Sequence, residues 1–315
     1  MTAFLTALGT KLADRWITLL LLPGLLYVAV ATAAVGVLDH GRWHDVTLLQ
    51  DRIDRAAASP ASHSAGSILL AAAAVLTVSA GTGLLAQALG RVTEWCWMGS
   101  WGPRAGRPGH ALTAWRHRRW SAAAHRHRAA LREKARGRLY PQQPPGGAGG
   151  PGAAPVPEPD TEALNAARNR IALAEPRRPT WMGDRMLAAA TRVRDRYDLD
   201  LASAWPRLWL VVPEETRGRL ASARADLASC ARLAGWGALY LPLALWWWPA
   251  ALIAVSSAAT AWWLGRERTA RLADLVEATA DVHGRDLAAS LGLECPGPLT
   301  PEVGEAVTRA LRKGV

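Results

Sequence analysis

The chain has 315 residues, 37 Lys plus Arg against 26 Asp plus Glu, and a formal net charge of +11. Half of its residues are hydrophobic, and the mean hydropathy of +0.02 averages very apolar stretches with very polar ones. The three cysteines, Cys96, Cys230 and Cys295, are isolated, which argues against a disulfide framework or a paired thiol site.

Residues 1–15 read as a short amphipathic lead-in, with Phe4, Leu5, Leu8 and Leu12 on one side. Trp16 to Leu38 then carries no charge, and a bilayer core of about 30 Å needs roughly 20 apolar residues of helix. Lys11, Arg15 and Ala29-Val30-Ala31 have the form of a cleaved signal peptide. The apolar run exceeds the roughly 7 to 15 residues of such a segment, so an uncleaved helix is expected, kinked at Pro23-Gly24.

The polar loop from Asp39 to Gly66 holds three arginines and four aspartates. Within it Val46, Leu48, Leu49 and Ile53 share one face of a short helix. A second span fits Ser67 to Leu89, rich in the small residues that let membrane helices pack closely. From Arg91 to Arg138 there are twelve Arg plus Lys and only two Glu. By the positive-inside rule this segment is cytoplasmic, the Asp39–Gly66 loop is external and the N-terminus is cytoplasmic.

A basic helix is expected over 111–139, and its charges next to a span suit anionic lipid headgroups better than nucleic acid. Pro141 to Pro159 reads as a disordered Pro/Gly linker. Asp160-Thr161 caps a helix over Glu162–Glu175, Pro179-Thr180 opens another, and Pro213-Glu214-Glu215 begins one that continues into the membrane. Leu233 to Gly265 is uncharged and contains Trp246, Trp247, Trp248, Trp262 and Trp263. As one straight helix it would be too long for a bilayer, so a hairpin is expected, with arms of about 227–246 and 249–265 turning outside at Pro249. An amphipathic helix over 266–291 and a short helix from Pro301 complete the chain.

The fold expected is therefore all-α: an integral membrane protein with about four transmembrane helices and both termini cytoplasmic. Its segments are 1–90 (two spans), 91–140 (basic helix), 141–160 (linker), 161–226 (cytoplasmic helices), 227–265 (hairpin) and 266–315 (C-terminal helices).

No phosphate-binding loop, nucleophile elbow, zinc-protease motif or dinucleotide fingerprint is present. His40 and His44, flanked by Asp39 and Asp45, lack a third convincing ligand for a metal, and no cofactor is expected. Only Arg232 and Asp226, at the edge of the hairpin, bring ionisable groups near a span, which weighs against a transporter.

Pro179-Thr180-Trp181-Met182-Gly183-Asp184-Arg185, Arg196-Tyr197-Asp198-Leu199-Asp200 and Trp205-Pro206-Arg207-Leu208-Trp209 form a P-T-x-x-G … R-Y-x-x-D … W-P-R-L pattern. Over roughly 176–292 this resembles a family of uncharacterised bacterial multi-pass membrane proteins, and the Arg- and Ala-rich composition suits an actinobacterial source. The resemblance implies a membrane fold and no particular activity. Arg196, Asp200 and Arg207 are expected to form a buried ion network at the membrane face, with Tyr197 beside them and Trp205 and Trp209 as anchors. That cluster reads either as a partner-binding site or as the contact by which the subdomain docks on the hairpin. The function expected is non-enzymatic: an anchor or scaffold that recruits a cytoplasmic partner. The alternative is a homo-oligomeric channel or small-solute permease, and a membrane-bound enzyme ranks third for want of a visible constellation.

Overall fold

A computed structural model of the chain describes residues 21–36, 41, 44–58, 64–99, 101, 106–139 and 160–312. Among these, all regular secondary structure is helical. The helices are α1 (Leu22–Gly36), α2 (Val46–Ala57), α3 (Ala65–Met98), α4 (Gly106–Leu139), α5 (Thr161–Ile171), α6 (Trp181–Tyr197), α7 (Leu201–Val211), α8 (Glu214–Leu243), α9 (Pro249–Ser290) and α10 (Pro301–Arg312). The expected lead-in, residues 16–20 and 37–38 of the first expected span, His40 and the linker 141–159 lie outside the described residues.

The chain divides into two compact units, Met1–Glu94 with Arg224–Glu267, and Trp95–Ala223 with Arg268–Val315. The hairpin thus groups with the N-terminal apolar segments. The C-terminal helices group with the polar middle of the chain.

The first unit is packed through small residues. Gly24 of α1 lies against the Ser79 carbonyl of α3, and Gly235 of α8 lies against the Ala86 carbonyl of α3, so close that a Cβ at either glycine would collide with backbone. Such contact lets helices without large side chains gain dispersion energy along their length. The Tyr27 hydroxyl of α1 donates to the Leu239 carbonyl of α8 at 3.1 Å, and its ring meets Tyr240 edge-on at 5.2 Å. Tyr240, Leu243, Ala250 and Ala254 form a buried cluster to which Tyr27, Val30 and Trp247 add. Glu94 at one end of α3 pairs with Arg224 of α8.

Among the described residues α3 is the one helix both long and apolar enough to cross a bilayer, and only 11% of its apolar window is buried. Leu69 and Leu70 are more than 70% exposed. The helix is longer than the expected 67–89, because no breaker occurs before Gly99, where a positive φ of 61° ends it. The uncharged C-terminal stretch is not one straight helix. The backbone turns over 244–248 and resumes helix at Pro249, whose missing N–H suits a first turn. The first arm stops at Leu243, three residues short of the expected 246. The second continues past Gly265 as part of the 42-residue α9.

The second unit has a conventional core. Met182, Val193, Leu199, Leu208, Val212, Leu287 and Val307 are almost wholly buried. Met182 and Val193 come from α6, Leu208 from α7, Leu287 from α9 and Val307 from α10, while Leu199 and Val212 flank the two ends of α7. Asp160 caps α5 by accepting from the Ala163 N–H at 2.9 Å, but that helix ends at Ile171 rather than Glu175 because Ala172 is extended. α4 begins five residues earlier than expected, with Pro108 in its first turn.

Candidate functional site

The Pro-Thr-x-x-Gly motif opens α6 and ties it to neighbouring chain ends. Thr180 is the N-cap: its Oγ1 accepts from the Gly183 N–H at 3.1 Å and donates to the Trp97 carbonyl in the last turn of α3. Gly183 stands against the Met98 carbonyl, where a Cβ would lie 2.5 Å from the oxygen. Arg178 donates to the Gly99 carbonyl at 3.2 Å, and the Trp101 indole to that of Cys96 at 3.1 Å. The carbonyls of a helix C-terminus, which have no partner within the helix, are met here by side chains.

Asp184, the next residue, is the centre of the unit's polar interior. Its Oδ1 accepts from the N–H groups of Arg177 and Arg178 at 2.9 and 2.8 Å, and its Oδ2 pairs with the Arg116 guanidinium of α4. Arg116 also donates to the carbonyls of Arg178 at 2.6 Å and of Ile171 at 2.7 Å, while Trp120 donates to that of Ala172 at 3.0 Å. A cation at the C-terminus of α5 is favoured by the helix dipole as well as by the hydrogen bond. Both partners of the Arg116–Asp184 pair are at least nine-tenths buried.

Along α6 further arginines meet acids of α9. Arg185, whose side chain is 9% exposed, pairs with Asp274, and Arg192 with Glu277, its Nε at 2.7 Å. The Arg192 guanidinium holds the Glu277 carboxyl below its ordinary value. Beyond these, burial and a hydrogen bond to Asp281 push the Tyr197 hydroxyl up.

The sequence-predicted cluster is distributed differently from expectation. Arg196, Asp200 and Arg207 do not form a buried ion network. Asp200 caps α7 and pairs with Arg312 of α10 at 3.0 Å. Arg207 donates to Ser203 of its own helix at 3.1 Å, and Arg196 lies over the Tyr197 ring with 5.5 Å to its centroid. The physical reason is phase: Arg196 is near the end of α6, whereas Asp200 and Arg207 fall on a new helix after the left-handed Asp198 reverses the chain. Trp205 and Trp209 do come together, with ring centroids 6.2 Å apart. The Arg-Tyr-x-x-Asp residues seat α10. Gly304 fits under the Tyr197 carbonyl where a Cβ has no room, and the Thr308 hydroxyl lies 3.0 Å from the Asp200 N–H, which donates to it. Burial raises the Asp200 carboxyl, but hydrogen bonds from Arg312, Ser203 and the Ala202 N–H outweigh it and hold the group low.

Arg196 and Tyr197 also border an open cleft of about 520 Å³, with Asp281, Val282, Arg285 and Leu299. Arg116, Asp184, Arg185 and Asp274 were not singled out as a site by the sequence. The signal available for Arg116 was its place in a seven-residue seam of otherwise small, buried positions, Gly109, Ala123 and Ala130. Compared with protein-family models, curated proteins and solved structures, the chain matches none. The chemistry of these residues is ion pairing, helix capping and guanidinium recognition. Among the described residues no group of His, Cys, Asp and Glu is arranged to hold a metal.

Proposed function

We propose that the protein is a non-enzymatic membrane anchor or scaffold whose second unit lies in the cytoplasm and recruits a partner there. In this reading α1, α3 and the two arms of the α8–α9 hairpin make four spans, both termini are cytoplasmic and α2 is external. The observation that carries it is the contrast within α3. Its apolar window is almost wholly uncovered by protein, as a lipid-facing helix requires, yet its last turn is capped by Thr180 of a polar, ion-paired subdomain. The charge asymmetry of the loops supports the orientation. Arg118, Arg119, Arg126 and Arg132 of α4 remain exposed, which supports contact with anionic headgroups, each basic group near such a surface contributing about 1 kcal/mol.

Two measurements on the full chain test it. In liposomes the purified protein should pass ions and small solutes no faster than empty vesicles. In living cells, photo-crosslinking side chains on exposed positions of the second unit should give a discrete adduct. Flux well above the empty vesicles, with no adduct, would overturn the scaffold in favour of a channel or permease.

A further inference from the structure

Two arginines of the second unit share one cleft. Arg116, Arg185, Arg192 and Arg312 are each paired with a carboxylate elsewhere in the unit. Arg196 and Arg285 are exposed and have no acidic side chain within ion-pair distance among the described residues. Both open on the same cleft of about 520 Å³. Both guanidinium groups are held in place. The Arg196 guanidinium lies over the Tyr197 ring, 5.5 Å from its centroid, and the Arg285 Nε donates to the Cys295 carbonyl at 3.1 Å. A guanidinium stacked on a ring keeps its N–H groups in its own plane for another acceptor, and Arg285 keeps its two terminal nitrogens.

We propose that this cleft binds a carboxylate side chain, with the apolar residue beside it, on a peptide segment of the recruited partner protein. The proposal rests on the scaffold reading and names the partner's chemistry. A carboxylate takes paired N–H donors from a guanidinium fork in the plane, and two forks at one cleft give it more than one such arrangement. Asp281, also in the lining, leaves the cleft with a net charge of one positive unit, which suits one carboxylate better than a doubly charged phosphate. The wall beside the arginines is apolar: Val282 is 67% exposed and Pro298 is exposed, with the buried Leu299 behind them. An aliphatic side chain laid there removes apolar area from water on both partners. The volume is in the range of ordinary ligand pockets.

The test uses the full chain in nanodiscs of neutral phosphatidylcholine. The probes are the capped tetrapeptide Gly-Glu-Leu-Gly and its Gly-Gln-Leu-Gly counterpart. Saturation-transfer NMR should show at least about threefold more transfer to the leucine methyls of the Glu peptide. In an R196Q/R285Q double variant the Glu peptide should fall to the level of the Gln peptide, and R196K/R285K should retain part of the difference. Equal transfer to the two peptides on the unaltered protein overturns the proposal whatever the variants do, and so does an unchanged preference in R196Q/R285Q. Displacement of the Glu peptide by inorganic phosphate, but not by sodium chloride of equal ionic strength, overturns it in favour of a phosphate ligand. If the carboxylate preference fails while the cellular photoadduct persists, the cleft assignment falls and the scaffold stands. If both fail, both fall.

Discussion

The Arg116 guanidinium of α4 meets the Asp184 carboxylate at the start of α6 across 68 positions of sequence, and the pair is buried, with two main-chain carbonyls on the guanidinium and two main-chain N–H groups on the carboxylate. A buried charge left without its partner is far more costly than an exposed one. Arg116→Ala removes the cation and leaves Asp184 with two N–H donors only, a loss of about 3 to 5 kcal/mol for a buried pair. Melting of the detergent-solubilised protein should show a clear downward shift. Arg126→Ala, on an exposed position of the same helix, should show almost none. Arg207→Ala should also be mild, because its bond to Ser203 is within one helix. Equal, small effects at Arg116 and Arg126 would mean that the pair does not hold the subdomain together.

Gly304 lets α10 pass under the Tyr197 carbonyl, with no room for a methyl group. Gly304→Ala must push that helix away, an overpacking cost of typically about 1 to 3 kcal/mol. Hydrogen exchange should then speed up selectively in α10 and around Asp200. Exchange unchanged in both places would show that the helix is not seated there.

The acid limb of stability should report Asp200 and Glu277. Both carboxyls are held below their ordinary value in the folded protein, Glu277 first of all by the hydrogen bond from Arg192, and Asp200 by Arg312, Ser203 and Ala202 against its burial. As pH falls the unfolded chain takes up these protons first. The contribution is therefore complete above the ordinary carboxylate pKa of about 4 and is lost as pH drops through the lower folded-state values. Melting temperature should hold from pH 7 to 5 and fall below about 4. An Asp200→Asn/Glu277→Gln variant should start lower at pH 7 and fall less steeply. A variant that falls as steeply as the parent removes these two groups from the account.

Helix starts were legible because they depend on a few adjacent residues. Asp160, Thr180, Pro249 and Pro301 mark α5, α6, α9 and α10 where the sequence places them. The small residues of α3 were legible as packing positions, and they do face α1 and α8 at Ser79 and Ala86. The ion pairs were not legible. Arg116 looks like its neighbours on a basic helix, and its partner is set by the path of the chain between them. Arg185 and Asp274 are 89 positions apart, Arg192 and Glu277 85. In contrast, Arg196, Asp200 and Arg207 are close in sequence, yet the left-handed Asp198 parts Arg196 from the other two, and Asp200 and Arg207 stand about two turns apart along α7. Sequence proximity was the wrong guide to charge pairing here.

Backbone contact in the first unit predicts sensitivity to side-chain size. Gly235→Leu places a large side chain against the Ala86 carbonyl and should separate α8 from α3. With the native cysteines replaced by serine, a short bis-maleimide should crosslink cysteines placed at Glu94 and Arg224, an ion pair between long side chains in the parent protein, readily without the Gly235 change and poorly with it. Undiminished crosslinking would contradict close packing at that level.

A membrane scaffold of this kind has α2 outside and α4 in the cytoplasm. Thiol accessibility in intact cells distinguishes the two sides. Cys96, Cys230 and Cys295 are first replaced by serine, and single cysteines are then placed at Gln50 of α2 and Ala122 of α4, both exposed. With an impermeant maleimide, Gln50→Cys should label in intact cells and Ala122→Cys only after permeabilisation. The reverse pattern, or equal labelling of both before permeabilisation, would contradict the account.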